Sequence, residues 1–238
     1  MSVWAVIVAG GSGDRFGRAG GKQLAQAAGR PILAITLEAF EVAPSVAGVV
    51  LVCHPQRVDE YRAACGVGLT TSKVAAVVPG GETRTDSVRA GLGAVPPEAA
   101  VIMTHDGARP LVTPAVIEEA VAALTADAGI AGVVVGHPMY DTVKVVAGCG
   151  EVTATADRST LWAAQTPQVF RAGPLRAALD AAAGSAMVAT DDSALVEQAG
   201  YRVRMVEGPR DNIKVTVPED LAVVEALLAA RGRDVVEG

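Results

Sequence analysis

The sequence predicts an α/β fold in which a mostly parallel, Rossmann-like sheet lies between two layers of helices. Half of the 238 residues are apolar and only 3% are aromatic, so the core must consist mainly of Val, Ala, Leu and Ile. Short β-branched runs alternate with longer segments of helical periodicity, which is the pattern of successive β–α units. The strands of such a three-layer fold are buried on both faces and read as continuous apolar runs.

Five strands and four helices are predicted before residue 136. The strands are expected at residues 3–9, 46–53, 73–78, 101–104 and 130–135. The helices are expected at residues 31–43, 55–64, 83–94 and 114–127. Ligands of such sheets bind beyond the carboxyl ends of the strands. The polar turns at 9–15, 79–84 and 105–110 are therefore expected to converge on one site.

A different pattern follows residue 135. Two short alternating runs, 142–147 and 152–156, predict a β-hairpin, so residues 137–160 are interpreted as a protruding arm of a single domain spanning residues 1–238. A two-stranded ribbon is marginally stable alone, and we expect the arm to pack on a second copy of the chain in a homodimer. The alternative is a surface hairpin folded on its own domain. The remaining predicted elements are helices at 174–183 and 191–199, a strand at 201–206 and a last helix opening at 216–219.

Composition excludes several classes of partner. The net charge of −6 argues against a broad basic surface for nucleic acid, and no apolar stretch approaches the length of a membrane span. The three cysteines, Cys53, Cys65 and Cys149, form no pair or metal-binding cluster. The amino terminus lacks the pattern of a signal peptide. These observations predict a protein of the reducing cytoplasm that does not bind nucleic acid or membranes.

A glycine-rich turn after the first strand carries the first functional signal. Residues 9–13 read Ala-Gly-Gly-Ser-Gly, and Arg15 and Lys22 follow. Exposed backbone N–H groups of such a turn can bind phosphate oxygens, and the two cations add charge where a polyphosphate would lie. The alternative is an ordinary tight turn, but the cations favour a site for a nucleoside triphosphate.

Two better-known phosphate motifs fit this turn poorly. A P-loop requires a hydroxyl residue after its lysine, where this chain has Gln23. The dinucleotide-binding motif requires a third glycine, where this chain has Phe16.

The further polar segments of the chain carry a family resemblance. In order, they are 9–15 with Lys22 and Gln23, 80–87, 105–110, 141–144, 157–158, 166–168, 190–192 and 211–216. Together they resemble the 2-C-methyl-D-erythritol 4-phosphate cytidylyltransferases of the non-mevalonate isoprenoid pathway, over nearly the whole chain. The resemblance implies a nucleotide-diphospho-sugar transferase type of fold. It also implies that CTP and methylerythritol phosphate react to give 4-diphosphocytidyl-2-C-methyl-D-erythritol and pyrophosphate, with Mg²⁺.

The resemblance also implies a role for particular residues. The implied catalytic residues are Arg15, Lys22, Arg158 and Lys214. The implied CTP-binding residues are Ala9, Gly10, Gly11, Gly13, Gly81, Glu82, Ser87 and Asp106, and Asp106 is also the implied metal ligand. The implied methylerythritol phosphate pocket contains Arg109, Thr142, Thr166, Thr190 and Asp211. Thr142 and Arg158 would act across the homodimer.

Three other functions remain open at this point. A cytidylyltransferase for another polyol phosphate, such as ribitol 5-phosphate, would share the CTP site. An NAD(P)-dependent oxidoreductase is disfavoured, because His54 and Pro55 stand where the second strand would provide an acidic residue for ribose. A non-catalytic nucleotide-binding module would have no need for cations from so many distant segments.

Overall fold

A seven-stranded sheet forms the centre of the protein in the computed structural model. The structure describes residues 2–11, 16, 22–67, 72–183 and 189–237, and at 64–67 and 233–237 it describes only the main chain. The strands are β1 (Val3–Ala9), β2 (Gln26–Ala27), β3 (Arg30–Pro31), β4 (Val46–Cys53), β5 (Val74–Pro79), β6 (Val101–Asp106), β7 (Gly132–Pro138), β8 (Lys144–Val146), β9 (Val152–Thr155), β10 (Trp162–Arg171) and β11 (Val203–Glu207). The helices are α1 (Ile32–Val42), α2 (Val58–Val67), α3 (Arg84–Leu92), α4 (Pro114–Ala126), α5 (Ala172–Ala182), α6 (Asp192–Gln198) and α7 (Asp220–Glu237).

The central sheet has the order β11-β7-β10-β6-β1-β4-β5. Its neighbours run parallel, except that β10 is antiparallel to both β6 and β7. The five strands predicted before residue 136 are all present in this sheet. The mostly parallel sheet of the prediction is therefore confirmed.

Within the central sheet, β10 is the strand that the sequence did not predict. Its residues include Gln165, Thr166, Pro167 and Gln168, which interrupt the apolar pattern and, in the case of proline, remove a backbone donor. All three of these polar side chains are nevertheless buried. They are accommodated because they hydrogen-bond to neighbouring segments, Gln168 Nε2 donating to Asp191 Oδ2 at 2.7 Å. The burial of these polar residues in a strand therefore depends on hydrogen-bond partners that are distant in sequence.

Two apolar clusters hold the helices against the faces of the sheet. Successive side chains of a strand point to opposite faces, so Ile7 lies in the cluster that contains Leu37 of α1 and Ile117 of α4. Val6 lies in the other cluster, with residues of α3, α5 and α6. This division produces the three-layer arrangement.

A third apolar cluster lies beside the carboxyl ends of the strands. It joins Phe16, Leu111, Val215 and Val224 of α7, and so fixes the segment that carries Lys214. Helix α7 begins at Asp220 rather than at 216–219, since the Asp220 carboxylate accepts the N–H groups of Thr216 and Val217. In the chain as described, no helix combines the length and apolarity that crossing a membrane requires.

The predicted hairpin is present as β8 and β9, which pair in antiparallel fashion. Every residue of the two strands is exposed. Val145, Val146 and Val152 are each half-exposed. The dimerising role of the arm and the division of the chain into one domain remain predictions.

Replacing Phe170 tests the packing of β10. Phe170 is fully buried and pairs across the sheet with Gly132, where an added Cβ would lie 2.6 Å from its ring. We expect Phe170→Ala to lower the free energy of unfolding by about 3–5 kcal/mol and Phe170→Leu by about 1 kcal/mol, measured by urea denaturation. Wild-type stability in Phe170→Ala would contradict this packing.

Candidate active site

A cavity of about 770 Å³ opens at the carboxyl ends of β1, β4, β5 and β6. It brings together residues from all three polar turns of the sequence. The lining residues are Val8, Gly10, Gly11, Phe16, Lys22, Gln23, His54, Pro55, Gln56, Gly80, Gly81, Glu82, Thr83, Arg84, Ser87, Asp106, Ala108, Lys214 and Thr216. Its position is the one at which parallel α/β sheets bind ligands.

Two lysines from remote parts of the chain line this cavity. Lys22 opens a short 3-10 turn that ends at Leu24. Lys214 lies close to the opposite terminus, in a segment anchored by the buried Val215. Arg15 and Gly13, which were predicted to act beside them, lie outside the described residues.

Asp106, the last residue of β6, lies among three cations. Lys214 Nζ is 2.8 Å from Oδ2 and Arg84 Nε is 3.2 Å from Oδ1, while Arg109 Nε lies 3.8 Å from Oδ2. Burial alone would raise the pKa of Asp106, but Arg84, Lys214 and Arg109 outweigh it and hold the pKa well below its usual range. Asp106 is therefore ionised at neutral pH.

The glycine loop of Gly80 and Gly81 and the start of α3 also line the cavity. Thr83 caps the helix in a capping box with Asp86. Ser87 Oγ donates to Thr83 O at 3.0 Å and accepts the Gly81 N–H at 3.2 Å. A Cβ at Gly81 would lie 2.3 Å from Asp86 Cβ, so only glycine allows the loop to pack this closely on the helix.

All five residues predicted for the methylerythritol phosphate pocket lie outside the cavity lining. Arg109 donates to Asn212 O at 2.7 Å, and burial lowers its pKa. Thr166 is buried behind Asp106, whose N–H it accepts at 3.1 Å. Asp211 pairs with Arg231 at 2.8 Å, and Thr190 is exposed.

The two predicted arm residues are also outside the cavity. Thr142 and Arg158 are both exposed, and Arg158 donates to Tyr140 O. Of the residues predicted to bind CTP, Ala9 is buried at the end of β1, where its carbonyl accepts the Tyr61 hydroxyl at 3.4 Å. The others within the described chain line the cavity.

Sequence reasoning assigned no role to several residues of the cavity. Arg84 lies inside the quoted segment 80–87, and its position directly after a helix cap at the site edge could have singled it out. Gln23 is buried, and its Oε1 has no hydrogen-bond partner. Thr216 lies in the quoted segment 211–216 and was predicted to open the last helix, but it lines the cavity and α7 begins at Asp220.

Comparison with known proteins decides the family. The family model described as IspD, 2-C-methyl-D-erythritol 4-phosphate cytidylyltransferase, matches residues 3–230. This chain belongs to that family.

Individual members agree with this assignment. The chain is 49% identical over 224 residues to the protein named bifunctional enzyme IspD/IspF of Desulforudis audaxviator (strain MP104C), covering 94% of this chain but 56% of that protein. It is 43% identical over 229 residues to the 2-C-methyl-D-erythritol 4-phosphate cytidylyltransferase of Pelotomaculum thermopropionicum (strain DSM 13744 / JCM 10971 / SI), covering 96% of this chain and 95% of the relative.

A solved structure confirms the fold of the cytidylyltransferase family in this chain. The 4-diphosphocytidyl-2C-methyl-D-erythritol synthase of Anaerococcus prevotii DSM 20548 matches with a TM-score of 0.82 at 28% identity, over 96% of this chain and 98% of that chain. The predicted α/β fold of nucleotide-diphospho-sugar transferase type is therefore correct. Membership in this transferase family also sets aside the oxidoreductase alternative.

The buried imidazole of His105 makes the stability of this cytidylyltransferase-family chain sensitive to acid. His105 lies against Phe40, with Nδ1 at 3.1 Å from Thr166 Oγ1, and burial lowers its pKa to about 3. Below the ordinary histidine pKa of 6.5 the unfolded chain binds a proton that the folded chain excludes. His105 therefore contributes stability at neutral pH that is lost as the pH falls from 6.5 towards 3.

We expect wild type to lose about 1.4 kcal/mol more stability than His105→Gln between pH 7.5 and pH 5.5. Urea denaturation in EDTA at both pH values measures this difference. Parallel pH dependence of the two proteins would contradict a neutral buried His105.

Proposed function

We propose that this protein transfers a cytidylyl group from CTP to 2-C-methyl-D-erythritol 4-phosphate, releasing pyrophosphate. The observation that carries the proposal is the meeting of Lys22 and Lys214 with Asp106 in one cavity at the rim of the sheet, in a chain of this family. Both substrates are anionic, so bringing them together requires cations at the point of reaction. The cavity supplies them from segments far apart in sequence.

The proposed reaction is an in-line displacement at the α-phosphorus of CTP. An oxygen of the substrate phosphate forms the new P–O bond while the bond to the β-phosphate oxygen breaks, and the electron pair leaves with pyrophosphate. The attacking oxygen is already ionised, so no general base is needed. Lys22 and Arg15 stabilise charge on the α-phosphate and the leaving pyrophosphate, while Lys214 and Arg158 orient the attacking phosphate.

The glycine turns are proposed to hold the nucleotide. Backbone N–H groups of the turn that contains Ala9, Gly10, Gly11 and Gly13 bind the triphosphate. Across the cavity, Gly81, Glu82 and Ser87 recognise cytosine. The exposure of Gly81 and Glu82 at the cavity edge supports this role.

Magnesium is proposed to arrive with the triphosphate. Among the residues that the structure describes, no group of three potential ligands could hold a metal ion by itself. Within the described part of the lining, the carboxylates are those of Glu82 and Asp106. This donor set fits Mg²⁺, which commonly takes one or two carboxylates together with substrate phosphates and water. Asp106 would hold it near the ribose, and the ion would supply further positive charge at the phosphates.

The second substrate is proposed to bind between two copies of the chain. Its pocket would contain Arg109, Thr166, Thr190 and Asp211 of one subunit, and Thr142 with Arg158 of the other. The half-exposed valines of the arm support such a contact, because apolar side chains on an isolated ribbon are stabilised by burial against a partner. A cytoplasmic location is proposed because CTP is available there.

A pyrophosphate-release assay tests the function. We expect purified protein with CTP and Mg²⁺ to release pyrophosphate when methylerythritol phosphate is added, and to stop when EDTA removes the metal. Ribitol 5-phosphate serves as the matched alternative substrate. Faster turnover with ribitol 5-phosphate would overturn the assignment of the alcohol, and no turnover with either would overturn cytidylyl transfer.

Replacing the cavity lysines tests the proposed chemistry. We expect Lys22→Ala and Lys214→Ala each to lower kcat ~100-fold or more while unfolding cooperatively like wild type. Arg204→Ala is the control, because Arg204 lies on the edge strand β11 and pairs with Asp127. Activity within threefold of wild type in both lysine variants would argue against their role.

Subunit mixing tests the arm. In a heterodimer of Lys22→Ala and Arg158→Ala chains, an arm acting across the dimer leaves one site with both cations and the other with neither. Co-expression with two affinity tags isolates this heterodimer. We expect about half of wild-type activity, against almost none for either variant homodimer. A heterodimer as inactive as the homodimers would place Arg158 in the site of its own subunit.

A further inference from the structure

We propose that Arg84 is a positioning residue that holds Asp106, and through it Lys214, by bridging two carboxylates at the back of the cavity. The inference rests on the proposed function and deepens it, because it names what fixes the geometry of the reacting phosphates. Family resemblance gave Arg84 no role. The contacts of its guanidinium group carry the argument.

The bridge is a closed ring of side chains. Arg84 Nε donates to Asp106 Oδ1 at 3.2 Å, and Arg84 Nη1 donates to Asp192 Oδ2 at 2.8 Å. Asp192 Oδ2 also accepts the Thr104 hydroxyl at 2.7 Å. Thr104 and Asp106 lie two residues apart on β6 and share one face of the sheet. The contacts therefore run from Asp106 through Arg84 and Asp192 back to β6 at Thr104. This closed arrangement leaves the Asp106 side chain little freedom to rotate.

Asp106 passes this constraint to the cavity. Its second oxygen, Oδ2, is 2.8 Å from Lys214 Nζ. Among the described residues, Asp106 is the ion-pair partner of Lys214, whose side chain is 39% exposed, so the position of the ammonium group depends on this carboxylate. A displacement of about 1 Å at a reacting centre can lower a rate 100-fold, so the rotamer of Asp106 matters for the reaction.

Arginine is suited to this position and lysine is not. The guanidinium group presents donors in a rigid plane, so Nε and Nη1 can reach two carboxylates at once. A single ammonium group cannot span Asp106 and Asp192 in the same way. Burial would lower the pKa of Arg84, but Asp192 and Asp106 outweigh it and raise the pKa, so the bridge stays charged.

The bridge also joins the two sides of the site. Arg84 is the first residue of α3, directly after the cap that orders the glycine loop. Asp192 is the fully buried first residue of α6, next to the segment that carries Thr190. One guanidinium group thus connects the start of α3, beside the residues proposed to recognise cytosine, with the start of α6, beside the proposed substrate residue Thr190.

Stability alone is a weak explanation for such a bridge. Buried ion pairs must offset a large desolvation penalty, and well-packed apolar residues of similar volume often stabilise as well or better. A buried charge network that ends at the cavity is better explained by the geometry it imposes there.

Steady-state kinetics of Arg84→Lys and Arg84→Gln test the proposal, with Arg89→Lys and Arg89→Gln as matched controls. Arg89 lies on the same helix and pairs with Asp86 and Leu179 O without lining the cavity. We expect both Arg84 variants to lose ~10-fold or more in kcat with KM for CTP within threefold of wild type. Asp192→Asn should also lower kcat, and combining it with Arg84→Gln should add little.

Several outcomes would overturn the positioning role. A wild-type kcat in Arg84→Lys would do so. So would a loss of kcat in Arg89→Lys equal to that in Arg84→Lys when the two variants also show the same fall in Tm, because a merely structural role predicts that kcat falls with stability in both. Full additivity of Arg84→Gln and Asp192→Asn would also contradict the bridge.

A crystal structure of unliganded Arg84→Lys keeps the test separate from the proposed function. We expect the Asp106–Lys214 ion pair to open beyond 4 Å, and an unchanged pair would refute the inference whatever the substrate. A wild-type protein that releases no pyrophosphate from CTP would refute the proposed function alone.

Discussion

The cavity is organised around the ionised carboxylate of Asp106 at the end of β6. A buried carboxylate is tolerated only when it is paired, and this one is paired on both oxygens, by Arg84 and by Lys214. The two partners come from segments that follow different strands of the sheet. Their convergence therefore depends on β6 lying centrally, next to β1. A change in strand order would separate the cations, so the arrangement of charge in the site depends on the topology of the sheet.

The parallel strands of the sheet also place the other residues of the cavity. Parallel neighbours deliver their carboxyl ends to one rim, and β1, β4 and β5 bring Gly10, His54 and Gly80 there. Small residues at the ends of β1 and β5 leave room and expose backbone donors. The protein has a net charge of −6, yet Lys22 and Lys214 make the rim locally attractive to phosphate. Local charge, rather than the overall balance, selects the ligand.

Most of the fold could be predicted from the sequence, because its five early strands and the helices between them are continuous apolar or amphipathic runs. Strand β10 could not, because Gln165 and Gln168 are buried by partners that lie far away in the chain. The site divides in the same way. The glycine turns and the cations beside them can be recognised in the sequence. The role proposed for Arg84 cannot, because it depends on a contact with Asp192, a residue distant in sequence that only the fold brings near.

The distribution of predicted site residues bears on how many chains a complete site needs. Within the described chain, those predicted to bind CTP line the cavity, except Ala9. Those predicted for the pocket of the second substrate lie outside the cavity lining. Thr166 is buried behind Asp106, Asp211 pairs with Arg231, and Thr142 lies in the exposed arm. Among its described residues, a single chain therefore gathers the residues proposed to bind the nucleotide in one cavity, but not those proposed to bind the second substrate. An arm that exposes valines and carries a cation has the composition to complete such a site, because apolar contact would hold it in place while the cation reaches a phosphate. An acceptor site at the contact between two copies therefore stays a proposal, which the subunit-mixing experiment addresses.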